Sequence, residues 1–215
     1  MNITILCSSS AHPINKWLKL WVKENLKNHN INIVRTAQEL RGGDILFLIS
    51  CSEIITKDVH SLFRKILIIH ASDLPKGRGW SPHVWEIIAG ASEITLSLLE
   101  MECKVDSGDI WQKLKIQIEK TDLHDDINSK IFDAEMELMD FALENIESIR
   151  PSKQDLSIKP TYHGRRTPED SELDIKKSIE SNFDLLRVCD PARFPAFFYL
   201  DGMKYRIYIE KDNDN

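Results

Sequence analysis

The stretch "HASDLPKGRGWSPHVWEIIAG", residues 70–90, gathers more chemistry than an ordinary loop carries. His70 closes the apolar run Ile66-Leu67-Ile68-Ile69. An imidazole there can serve near neutral pH as a general base or a charged hydrogen-bond donor, or it can simply satisfy a loop backbone group. Lys76 and Arg78 suit a phosphate or a carboxylate, and an arginine can hold either with two parallel bonds. Gly77 and Gly79 let the backbone approach a ligand closely. Trp80 is either a stacking face or a plug for the core, and the plug is the simpler expectation. Further along, "VDSGDIW" puts Asp106 before a glycine turn. Asp106 is either a turn aspartate bonded to its own backbone or a carboxylate facing the His70 edge. Asp109 lies beside it and offers the same group.

Other chemistries lack their signatures. The seven histidines include no HExxH and no spacing paired with cysteine, so no metal site is expected. GxGxxG, the phosphate-binding Walker pattern and the GxSxG elbow are all absent. A formal charge of −6 argues against a broad nucleic-acid surface. No apolar run approaches the ~20 residues that a membrane span needs. "MNITILCSSS" has neither a basic start nor a long apolar stretch, so no signal peptide is read there. Cys7, Cys51, Cys103 and Cys189 are widely spaced and read as reduced thiols. A cytoplasmic location is the expectation.

Elements must position His70 and Asp106. "NITILCSS", "INIVRT", "DILFLISC" (44–51) and "ILIIH" are short runs rich in branched apolar residues and predict buried strands. The near-continuous apolar character of the last two suits parallel strands covered on both faces. Residues 14–28 carry Leu18, Trp21, Val22 and Leu26 at helical spacing. "PHVWEIIAG" reads as a helix with Pro82 near its start and Gly90 past its end. "EITLSLLEM" and "DIWQKLKIQIE" predict strands, and 125–149 a long amphipathic helix. Strands alternating with helices imply a Rossmann-like α/β fold, a mostly parallel twisted sheet whose ligands collect at the carboxyl ends of the strands. His70 and Cys51 lie at such ends. Residues 1–150 form the catalytic domain in this reading. Residues 151–215 form a small extension: a polar linker, a helix over 174–188 with Ile175, Ile179, Phe183 and Leu186 on its apolar side, a hairpin turning at Asp201-Gly202, and a frayed tail, "KDNDN". Phe197 and Tyr199, if exposed, could serve a homodimer, though a small core is the simpler view.

The histidine loop and the later aspartate resemble the 10-formyltetrahydrofolate-dependent formyltransferases. The residues that carry the likeness are His70, Leu74-Pro75, Arg78-Gly79 and Asp106-Ser107-Gly108-Asp109-Ile110, joined by "RRTPEDSELDIKKSIESNFDLLRVCDPARFPAFFYLDGMKYRIY". The resemblance implies 10-formyltetrahydrofolate as co-substrate, no metal, and a primary amine as acceptor. His70 would then stabilise the oxyanion or move the amine proton, with Asp106 tuning it. The family usually carries an asparagine two residues before the histidine, where this chain has Ile68. Ser50, Cys51 and Ser52, at the end of the neighbouring strand, are the candidate substitutes on the oxyanion and folate side. The loop Gly77-Arg78-Gly79-Trp80-Ser81-Pro82 looks like a branch acting on nucleotide-linked amino sugars in pseudaminic acid biosynthesis, whose acceptor is UDP-4-amino-4,6-dideoxy-N-acetyl-altrosamine. Lys76, Arg78, Gly79, Trp80 or the Arg165-Arg166 pair would meet that substrate, unless Arg165 and Arg166 only clamp the linker. The alternatives are a formyltetrahydrofolate hydrolase, or a folate and sugar-nucleotide binding protein without catalysis.

Overall fold

The computed structural model describes residues 1–212. Strand β1 (Asn2–Leu6) leads through helix α1 (Asn15–Asn25) to β2 (Asn30–Val34), which pairs parallel with β1. The chain then crosses to the other side of β1. There β3 (Gly43–Leu48), the short helix α2 (Lys57–His60) and β4 (Phe63–His70) continue the parallel sheet. The crossover makes β1 and β3 a topological switch point, where side loops part and leave a crevice.

After β4 come β5 (Arg78–Gly79) and α3 (Pro82–Ile88), then β6 (Glu93–Glu100) and β7 (Ile110–Gln117). These last two run antiparallel and complete a six-stranded sheet in the order β2-β1-β3-β4-β6-β7. The long helix α4 (His124–Asn145) returns across one face. The remainder holds β8 (Tyr162–His163), α5 (Ile179–Arg187) and the hairpin β9 (Ala196–Leu200) with β10 (Met203–Ile207).

Side chains alternate across the sheet, as a period of two requires. Ile3, Ile5, Ile45, Phe47 and Leu67 face α1 and α4, where they meet Leu18, Trp21, Ile131 and Leu138. Leu6, Leu46, Leu48 and Ile66 pack on the opposite face with Leu40 and Phe63. Two indoles tie α1 to α4: Trp17 Nε1 donates to Asp133 at 2.7 Å and Trp21 Nε1 to Asp140 at 2.6 Å. All four cysteines are free thiols.

Several boundaries differ from the sequence expectations, each for a local reason. β3 stops at Leu48 rather than Cys51, because Ser50 turns into the left-handed region at φ 46°. The helix expected from 174 starts at Ile179, because the Ser178 hydroxyl caps it by accepting from Ser181 N at 3.1 Å. Ile175 lies before that helix, and both Ile175 and Ile179 are exposed. Phe197 is buried and offers no surface, whereas Tyr199 stays exposed. Lys211, read as part of a frayed tail, pairs with Asp126 at 2.7 Å; residues 213–215 of that tail lie outside the described residues.

Candidate active site

β4 ends by delivering His70 to the sheet's carboxyl edge. The imidazole is buried, and its Nε2 donates to the Gly77 carbonyl at 2.8 Å. A carbonyl only accepts, so this bond fixes the proton on Nε2 and leaves the neutral ring's lone pair at Nδ1. That nitrogen has no protein partner among the described residues and is not enclosed. His70 therefore does satisfy a backbone group, and it still keeps one nitrogen for chemistry.

Asp106 reaches the same point from the β6–β7 loop. Its Oδ2 stands 3.6 Å from His70 Nε2, and both side chains are 9% exposed. The same oxygen accepts from Gly79 N at 2.9 Å. The aspartate thus holds another segment's backbone, not its own. Its own φ is 51°, a conformation that Asp tolerates better than most residues. Gly108 permits the turn: a Cβ there would lie 1.7 Å from the Glu100 carbonyl oxygen. Asp109 uses its backbone instead, its carbonyl accepting from Glu100 N at 2.9 Å.

Gln154 was not visible as a site residue in the sequence. It is buried, and its Nε2 donates to the carbonyls of Asp106 at 2.8 Å and Gly108 at 3.0 Å. Its Oε1 accepts from Arg78 Nη2 at 2.6 Å. A lone glutamine in a polar segment carries no pattern that marks it as a clamp.

Arg78 itself is buried, its Nη1 donating to the Tyr162 hydroxyl at 3.3 Å. β5 pairs parallel with β8, so the chain beyond residue 160 is laced onto the histidine loop. Gly77 N donates to Thr161 Oγ1 at 2.8 Å, Arg78 N to Thr161 O at 2.9 Å, and Trp80 N to His163 O at 3.1 Å. Gly79 has φ 98°, and a Cβ would come within 2.4 Å of the His163 carbonyl oxygen. Gly79→Ala is accordingly expected to cost about 1–3 kcal/mol and to lower activity together with melting temperature. A fully active variant with unchanged melting would show that the lacing does not hold the site.

The remaining candidates separate. Trp80 is 43% exposed and no core plug; the Arg165 guanidinium lies 5.0 Å from its ring centroid. Trp85 stacks on His163 instead, its Nε1 donating to the Gly164 carbonyl at 3.2 Å. Lys76 is exposed, whereas Arg166 is buried. Ser50, Cys51 and Ser52 meet groups just after the end of β1. Ser50 Oγ lies 3.5 Å from His12 Nε2, Ser8 Oγ bonds Cys51 Sγ at 3.8 Å, and Ser52 N donates to Ser8 Oγ at 3.0 Å. Burial pushes the Cys51 thiol above its ordinary value. Behind the loop, burial and then Asp73 raise the Glu86 carboxyl to about 7. That carboxyl packs against Gly77, where a Cβ would meet Glu86 Oε1 at 3.1 Å.

A donor-bearing histidine, a sealed carboxylate beside it and a lone pair left open form an acid–base pair able to move one proton. The family model described as "Formyl transferase" matches residues 2–143. A methionyl-tRNA formyltransferase from Francisella philomiragia is 32% identical over 142 residues, which make up 66% of this chain and 44% of the relative. The chain thus spans under half the length of that relative. Among solved structures, a methionyl-tRNA formyltransferase from Clostridium thermocellum superposes with a TM-score of 0.82 at 24% identity, over 100% of this chain and 95% of the other. A 4-N formyltransferase from Francisella tularensis does so with a TM-score of 0.74 at 17% identity, over 99% and 98% of the two chains. Both share the α/β fold described above.

Proposed function

The chain belongs to the formyl transferase family, and on that premise we propose that it moves the formyl group of 10-formyltetrahydrofolate to the primary amine of a nucleotide-linked amino sugar. The observation that carries this reading is the sealed Asp106 carboxylate 3.6 Å from the Nε2 of His70, whose Nδ1 remains open.

In the proposed reaction the amine nitrogen attacks the formyl carbon, and a tetrahedral oxyanion forms. His70 Nδ1 takes a proton from the attacking nitrogen. The imidazolium so made lies against Asp106, which stabilises it without being protonated itself. The bond from the formyl carbon to the folate nitrogen then breaks, and Nδ1 returns the proton to that nitrogen. One N–C bond forms, one breaks, and one proton crosses between two nitrogens. The Nε2–H bond to Gly77 holds the ring in the required tautomer throughout. Ile68 offers no side-chain donor to the oxyanion, so the charged imidazole serves that role here as well. A formamide donor is a modest acylating agent, and placement of amine against carbonyl must supply much of the rate.

The acceptor class is supported by the likeness to a 4-N formyltransferase across nearly the full length of both chains, and by an overall charge of −6, which disfavours a polyanionic RNA. A second reading, methionyl-tRNA as acceptor, is favoured by the 32% identity to a protein of that name. Mass spectrometry of reactions containing 10-formyltetrahydrofolate and one acceptor each decides between them. Nucleotide-linked 4-amino sugars are expected to gain one CO, and charged initiator tRNA to remain unmodified. Formate release at the same rate with no acceptor present would identify a hydrolase, and the absence of any turnover a binding protein.

A further inference from the structure

We propose that His83 of α3 and Arg166, which lies against Phe194, bind the diphosphate of the acceptor. This rests on the nucleotide-sugar reading above and names the groups that would recognise its anionic part.

His83 lies in the first turn of α3, and the charges that act on it come from four other segments. His70 comes from β4, His12 from the loop after β1, His124 from the start of α4, and Arg166 from the segment after β8; each opposes a positive charge on His83. Burial is the larger influence, and together they depress the imidazole to about 4. Its Nδ1 is enclosed without a hydrogen-bond partner. Nε2 is not enclosed, and no protein group bonds it among the described residues. Asp106 and Asp190 stand beside His70 and His124, but the charges that act on His83 itself are all basic. A ligand oxyanion would reverse the balance by pairing with the protonated ring.

Arg166 has the same deficit. It is only 9% exposed, yet no carboxylate pairs with it among the described residues. Its Nη2 donates to Ser171 Oγ at 2.9 Å, its plane lies 5.5 Å from the Phe194 ring centroid, and its Nε is enclosed with no acceptor. Nη1 stays open. Arg187 is buried still more deeply but has Asp184 at 2.8 Å and the Glu119 carbonyl at 2.9 Å. A buried guanidinium without a counter-charge is destabilising. The nearby acids are already engaged. Asp190 pairs with Arg193, accepts from the backbone of Ala192 at 2.8 Å and lies 3.7 Å from His124. Asp106 is held by Gly79 and His70.

The placement also fits the substrate's shape. In a 4-amino sugar the reacting nitrogen and the anomeric phosphate sit at opposite ends of one ring. The anion's partners must therefore lie near, but not at, His70. Arg165, the other arginine of the pair, is exposed and lies over Trp80.

Calorimetric titration of the full chain with inorganic pyrophosphate tests this. The wild type is expected to bind, and His83→Gln and Arg166→Gln each to weaken binding about tenfold or more, as loss of one charge-assisted bond implies. KM for the nucleotide-linked sugar should rise by more than kcat falls. Absence of wild-type binding, or affinity unchanged in His83→Gln at an unchanged melting temperature, overturns the proposal. His83 decides if Arg166→Gln does not fold, because its ring is partly exposed and anchors no other group. Formylation of a nucleotide-linked sugar with pyrophosphate affinity untouched in the variants refutes this inference alone. Equal use of the free amino sugar and its nucleotide-linked form refutes the acceptor reading instead.

Discussion

His70→Ala lowers kcat by about 10²–10⁴-fold if Nδ1 carries the proton between the two nitrogens. Alanine also strips the Gly77 carbonyl of its donor, a loss of about 1–3 kcal/mol for a buried acceptor. The two effects can be separated. His70→Gln retains an N–H able to reach Gly77 but has no basic nitrogen, so it should fall as far in turnover while losing less in melting temperature. Asp106→Asn keeps an oxygen for the Gly79 amide and removes the charge beside the imidazole; about 10²-fold in kcat is expected. Single-turnover measurements with saturating 10-formyltetrahydrofolate are the check. Rates close to wild type in both the His70 and Asp106 variants would leave the pair without a catalytic part.

The second large effect concerns stability and pH. Glu135 lies on the inner side of α4, 9% exposed, and burial raises its carboxyl from an ordinary 4.5 to about 8. A carboxyl whose folded value exceeds its unfolded value holds its proton more firmly in the native chain. Its contribution is complete below about pH 4.5 and is lost as pH rises through about 8. Glutamine has the neutral shape at every pH. Glu135→Gln should match the wild type near pH 4.5 and exceed it at pH 8.5 by on the order of 4 kcal/mol, roughly 10 °C in melting temperature for a chain of this size. Thermal melts across that range decide it. A gap that does not widen with pH would mean that the carboxyl is not buried as a neutral acid.

The central sheet was legible because its strands are short apolar runs with β-branched residues and no competing helical period. Ile45, Phe47 and Leu67 could hardly face water. The meeting of His70 with Asp106 was legible only through the spacing of two motifs, since no periodicity relates a strand end to a distant loop. What could not be read were contacts whose chemistry is backbone. β8 is two residues long in a polar, proline-bearing segment, and its bonds run through amides that every sequence possesses. Gln154 acts through two carbonyls in the same way. Trp80 misled because a tryptophan in a loop usually seeks cover; here an arginine covers one face and leaves the rest to solvent. Ile175 and Ile179 fell on a helical stripe that Ser178 interrupts before it begins.

The pairing of β5 with β8 has a consequence for engineering. A chimera that keeps the N-terminal half and takes a foreign tail inherits the histidine loop without its stitching. Thr161, Tyr162 and His163 would have to travel with Arg78 and Gly79, and Gln154 with Asp106, as one transplanted unit. Recombination breakpoints that tolerate a swap are therefore confined to positions before residue 70 or after 166. A cut between Arg78 and His163 severs the histidine loop from its own supports.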